Sequence, residues 1–140
     1  KAIEIVPGYS WIIAQRGISY RQMERFEDAL KDLTKAIEID PGYSWIIAQR
    51  GITYRQMERY EDAIKDLNKA IELDRTLEWA LVERGTTHYQ IEQYENALRD
   101  FGDAIRLNDV NKKLAIASRG IVYRELKIHD DALIEFSRAI

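Results

Sequence analysis

The chain has no cysteine, and it has only two prolines and seven glycines among 140 residues. The missing cysteines exclude disulfides and thiol chemistry. So little proline and glycine excludes a collagen-like or low-complexity chain. No apolar run approaches the roughly 20 residues that cross a bilayer, and the N-terminus lacks a signal-peptide pattern. Net charge is only −3, so no bulk field draws the chain to nucleic acid or anionic lipid. Histidine is scarce as well: His88 and His129 lie 41 residues apart, away from any metal-ligand spacing. The glycines form no phosphate loop, and no nucleophile has a base beside it. These absences predict a protein that is not an enzyme and uses neither cofactor nor metal. They also fit a cytoplasmic location.

What the chain does have is repetition. The string PGYSWIIAQRG begins at Pro7 and again at Pro41. Residues 7–40 and 41–74 align without a gap over 34 positions and differ at five: Ser19/Thr53, Phe26/Tyr60, Leu30/Ile64, Thr34/Asn68 and Ile39/Leu73. A third copy from Arg75 keeps Trp79, Arg84 and Gly85, then YENALRDFGDAIRL. A fourth keeps SRGIVY and DDALIEFSRAI after one extra residue in the connection LNDVN. The expected repeats are therefore about 7–40, 41–74, 75–108 and 109–140. Residues 1–6 repeat the tail of a preceding second helix, which predicts a piece of a longer array.

Each unit reads as two helices, 10–22 and 26–39 in the first. In the second helix Phe26, Ala29, Leu30, Leu33, Ala36 and Ile37 recur at three- and four-residue steps, which makes one buried stripe. The opposite face is a charge run, with Glu27 four residues before Lys31, and reads as a solvated surface. Pro41 ends the helix, because it has no N–H to continue the ladder. The fold class is all-α. A helix pair recurring at this period builds an α-solenoid of stacked antiparallel pairs.

The small and aromatic positions Gly17, Tyr20, Ala29, Leu33, Ala36 and Pro41 resemble the signature of the tetratricopeptide repeat family. They return as Gly51, Tyr54, Ala63, Leu67 and Ala70, then as Gly85, Ala97, Phe101 and Ala104. The last set is Gly120, Tyr123, Ala132, Phe136 and Ala139. His88 replaces the tyrosine of the third unit, and Arg75 and Asp109 stand where proline is expected. The resemblance implies a superhelix whose first helices line a concave peptide groove. On this chain the implied groove residues are Trp11, Ile18, Arg21 and Gln22, then Trp45, Ile52, Arg55 and Gln56. Trp79, Tyr89, Gln90 and Arg124 complete the set. Trp and Arg are the residues most enriched at binding hot spots. The arginines favour carboxylates, so the implied partner is a protein or peptide, acidic with apolar anchors.

Two readings of the tryptophans stand side by side: groove contacts, or fillers between successive first helices. A second arginine series, Arg16, Arg50, Arg84 and Arg119, precedes every glycine and reads as structural pairing with a carboxylate of a neighbouring helix. Chaperone-binding members of the family clamp a terminal carboxylate with lysine and asparagine. Ala14, Ile18, Ala48 and Ile52 occupy those sites here, so that function is not implied. The alternatives to a peptide scaffold are a self-stacking spacer, with end-to-end homo-oligomers, and the sensor region of a larger signalling protein. Apolar groove positions argue against a reader of RNA bases.

Overall fold

A computed structural model describes residues 8–107 and 112–139; the tail at 1–6, most of the LNDVN connection and residue 140 lie outside them. Among the described residues seven helices run: α1 (Tyr9–Gln22), α2 (Phe26–Ile39), α3 (Ser44–Gln56), α4 (Tyr60–Leu73), α5 (Glu78–Gln90), α6 (Tyr94–Leu107) and α7 (Lys112–Ala139). Among the described residues there is no strand, and no helix is long and apolar enough to cross a membrane. The chain divides into two compact units, Lys1–Ala80 and Leu81–Ile140.

In the first unit α1 pairs with α2 and α3 pairs with α4, while α2 also packs on α3. Glycine sets the closeness of each pair. A Cβ on Gly17 would stand 3.0 Å from Leu33 Cγ, and one on Gly51 would stand 3.0 Å from Leu67 Cγ. The absent side chain lets two backbones approach at the short end of the usual helix separation. Ile13, Ala14, Leu33, Ala36 and Ile46 form one buried cluster; Ile47, Ala48, Leu67, Ala70 and Ala80 form the next.

The turn between paired helices closes the same way each time. Arg25 N donates to Tyr20 O at 2.8 Å and Glu24 N to Arg21 O at 2.9 Å, the crossed pair of a Schellman cap. That geometry needs a left-handed residue, and Glu24, Glu58 and Glu92 supply it at φ 60, 62 and 61°. Arg25 anchors the turn twice, through Nε to Asp28 at 2.9 Å and by lying 4.7 Å over the Tyr20 ring. Arg59 repeats both contacts with Asp62 and Tyr54. In the second unit the pair has changed together: His88 Nδ1 donates to Gln93 Oε1 at 2.8 Å, so histidine for tyrosine comes with glutamine for arginine. His88 is therefore part of a turn, a role its sequence position did not reveal.

The fourth repeat departs from expectation. Its residues were expected to form two helices, but α7 is one helix from Lys112 to Ala139. The turn code explains this. Lys127 stands where the left-handed glutamates are, and Ile128 stands where Arg25 and Arg59 are. Isoleucine forms neither the ion pair nor the contact with an aromatic face, so nothing at this position rewards breaking the helix. Val122 on α7 packs with Ala97 and Phe101 of α6, and the His129 ring lies 5.6 Å from that of Tyr94.

Candidate functional site

The expected structural role of the second arginine series is met at three positions. Arg16 Nε and Nη2 donate to the two oxygens of Asp32, both at 2.8 Å. Arg50 does the same with Asp66, and Arg84 with Asp100. Each partner lies sixteen residues on, in mid-helix. The partners are thus not the acidic residues that start the second helix. The charge run was expected to be solvated throughout, yet Asp32, Asp66 and Asp100 are 5%, 5% and 2% exposed. Their carboxylates are buried because a planar guanidinium satisfies both oxygens at once. The hydrogen bond to Asp32 holds the Arg16 guanidinium well above its ordinary pKa.

Arg21, expected on the groove face, is committed to contacts within the protein. From α1 its Nη1 donates to Gln49 O at 3.0 Å and its Nη2 to Gln49 Oε1 at 2.9 Å, both on α3. Thr53, fully buried, sits at the same junction, 3.4 Å from Nη1. Gln49 and Thr53 went unnoticed in the sequence. The only signal for them was the change from Ser19 to Thr53, one of five differences between near-identical units.

The tryptophans differ in setting. Trp45 is half-buried against the cluster of Ile13, Leu33 and Ile46, and Trp79 against that of Ile47 and Leu67. Trp11, on α1, is 46% exposed. Tyr43 tilts against Trp45, ring centres 5.9 Å apart, an aromatic pair that spacing alone did not reveal. Of the remaining groove candidates in the first unit, Ile18 and Arg55 are half-buried, Ile52 is buried, and Gln22 and Gln56 are exposed. In the second unit Tyr89 is half-buried, its ring 5.8 Å from that of Tyr94; Gln90 and Arg124 are exposed. Ala14 and Ala48, at the clamp positions, are fully buried. Among the described residues no cluster of three His, Asp or Glu side chains could hold a metal.

The tetratricopeptide repeat family model matches residues 8–76. The first tetratricopeptide domain of human RPAP3 superposes with a TM-score of 0.84 at 21% identity, over 90% of this chain and 98% of that one. The second domain of human RPAP3, in complex with the HSP70 peptide SGPTIEEVD, gives 0.74 at 26%, over 81% and 98%. MamA gives 0.75 at 26%, over 94% and 72%. No curated protein matches the chain. Residues 8–76 therefore belong to the tetratricopeptide repeat family, and the chain shares the fold of its solved members over 90% of its length.

Proposed function

We propose that the protein is an interaction scaffold that holds a peptide segment of another protein along the face of its first helices. In the first unit the contacts are Trp11, Ile18, Arg21 and Gln22 from α1, and Trp45, Ile52, Arg55 and Gln56 from α3, with Trp79 beyond. Tyr89, Gln90 and Arg124 form a separate contact set on the second unit. The observation that carries this reading is Trp11: a large aromatic left 46% exposed on the helix that also bears Arg21. The similar RPAP3 domain, which holds a peptide ending in two glutamates, a valine and an aspartate, supports an acidic ligand. Buried alanines replace the polar clamp at Ala14 and Ala48, so recognition falls on internal acidic and apolar side chains rather than on a chain terminus.

Fluorescence anisotropy with labelled acidic peptides bearing leucine or phenylalanine anchors tests this. Trp11→Ala should weaken binding about tenfold or more with helicity unchanged. Amidating the peptide's C-terminus should leave affinity within about twofold, whereas replacing its Glu and Asp by Gln and Asn should weaken it. Indifference to both Trp11→Ala and peptide charge would refute the reading.

A self-stacking scaffold is the second reading. It rests on Ile12, 61% exposed on α1, whose counterpart Ile46 is fully buried against the preceding helix pair. Light scattering at rising concentration separates the two readings. A dimer or filament lost on Ile12→Glu favours stacking, and a monomer throughout excludes it.

A further inference from the structure

In the three folded pairs one spacing recurs, and α7 contains it unused. Gly17 faces Leu33, Gly51 faces Leu67 and Gly85 faces Phe101, always sixteen residues on, where an added Cβ would meet the partner at 3.0, 3.0 and 2.8 Å. The residue before each glycine pairs with the residue before each partner: Arg16 with Asp32, Arg50 with Asp66, Arg84 with Asp100. In α7 the same spacing gives Gly120 with Phe136 and Arg119 with Glu135. Neither contact is made. Nothing stands within 4 Å of a Cβ built on Gly120, and Glu135 contacts Arg138 instead. The face that flanks Gly120 is open, with Ile116 at 44% and Tyr123 at 55% exposure. Farther along, Leu133 and Phe136 are 64% and 68% exposed. A straight helix holds Gly120 and Phe136 about 24 Å apart.

We propose that α7 is a two-state strap. In its second state it breaks near Lys127 and Ile128, and residues 129–139 fold back onto the seat formed by Ile116, Gly120 and Tyr123. The occupant of that seat is this chain's own helix end, because Glu135 and Phe136 stand sixteen residues beyond Arg119 and Gly120, the spacing that joins Asp100 and Phe101 to Arg84 and Gly85. Closure would bury the exposed apolar side chains and pair Arg119 with Glu135. Opposing it is the turn, where Lys127 must take a left-handed backbone and Ile128 supplies neither anchor that Arg25 supplies. The open helix in turn has His129 against Tyr94. Gain and cost oppose each other at one hinge, which is what makes a strap switchable. When open, it leaves the seat free; when closed, it fills the seat in the manner of α2 on α1.

The test uses the full chain, in which the absence of native cysteine allows clean labelling. Spin labels on Ala117→Cys and Arg138→Cys lie about 30 Å apart along a continuous helix and about 10 Å apart between paired helix backbones. Pulsed electron resonance should show a short-distance population in addition to the long one. Lys127→Gly should enlarge the short population, and Phe136→Asp should abolish it while circular dichroism holds. A single population near 30 Å that Lys127→Gly does not change would overturn the proposal. So would a short distance that disappears on dilution with unlabelled chain, since the seat would then be filled by a second copy.

Discussion

Arg50 and Asp66 hold each other through two nitrogens and two oxygens, at 2.8 and 2.9 Å, across sixteen residues of sequence. The same guanidinium also reaches Thr34 of the preceding helix pair at 3.4 Å. One side chain therefore fixes the packing within a repeat and touches the repeat before it. The hydrogen bond to Asp66 raises the Arg50 pKa, so the guanidinium stays protonated. Arg50→Met should destabilise the first unit by about 2–4 kcal/mol, because it leaves a buried carboxylate without its partner. The double replacement with Asp66→Leu should recover much of the loss. Urea denaturation of the single and double variants measures both. A single variant as stable as the parent would show that the pair does not hold the fold.

Gly51 and Gly85 set helix separation, and substitutions there should reflect their neighbours. Gly51→Ala places a methyl 3.0 Å from Leu67, and Gly85→Ala places one 2.8 Å from the Phe101 ring. Overpacking of this kind costs about 1–3 kcal/mol, with the rigid ring the less forgiving partner. Gly120→Ala meets nothing in the open α7 and should leave the open form as stable as before or slightly more so. Thermal unfolding of the three variants gives the order.

The left-handed glutamates offer a gain. Glu58 sits at φ 62° with its backbone bonded to Arg55 O. Glu58→Gly should stabilise the turn by about 0.5–1 kcal/mol, since glycine adopts this conformation without the Cβ penalty. Arg59→Ala should do the opposite by removing both the Asp62 pair and the contact with Tyr54. Chemical denaturation of the two variants should displace the midpoint in opposite directions.

Asp74 accepts hydrogen bonds from the Thr76 hydroxyl at 2.6 Å and the Thr76 N–H at 3.0 Å, which hold its carboxyl below the usual pKa. A folded pKa below the unfolded one stabilises above the ordinary carboxylate range of about 4. That contribution is lost as pH falls through the lower, folded value. In a carbon-detected NMR titration Thr76→Val should move the Asp74 midpoint upward. An unmoved midpoint would mean that the hydroxyl is not the cause.

The second helices were legible because each buries one face: Ala29, Leu33 and Ala36 recur at helical steps and all are fully buried. The first helices were legible only through repetition. Packed by its own partner on one side and the preceding pair on another, α3 buries Ile46, Ile47, Ala48, Gly51 and Ile52 around much of its circumference and shows no single stripe. Asp32 was misread because a charge inside a charged run looks solvated until its arginine is placed against it. The fourth turn was misread because the helix residues were all present, while the deciding change lay in Lys127 and Ile128 of the connection. Arg21 resembled a ligand contact by position, and it is also a stitch to Gln49 that requires the neighbouring helix to be seen.

The most direct test of the scaffold reading is a two-dimensional NMR spectrum of the three indole N–H groups, Trp11, Trp45 and Trp79, during titration with an acidic, apolar-anchored peptide. A peptide held along the first helices shifts the Trp11 and Trp45 resonances saturably and leaves the amides of Lys31 on α2 and Lys65 on α4 unchanged. Still indoles at saturating peptide, or shifts confined to the outer lysines, would contradict the scaffold reading.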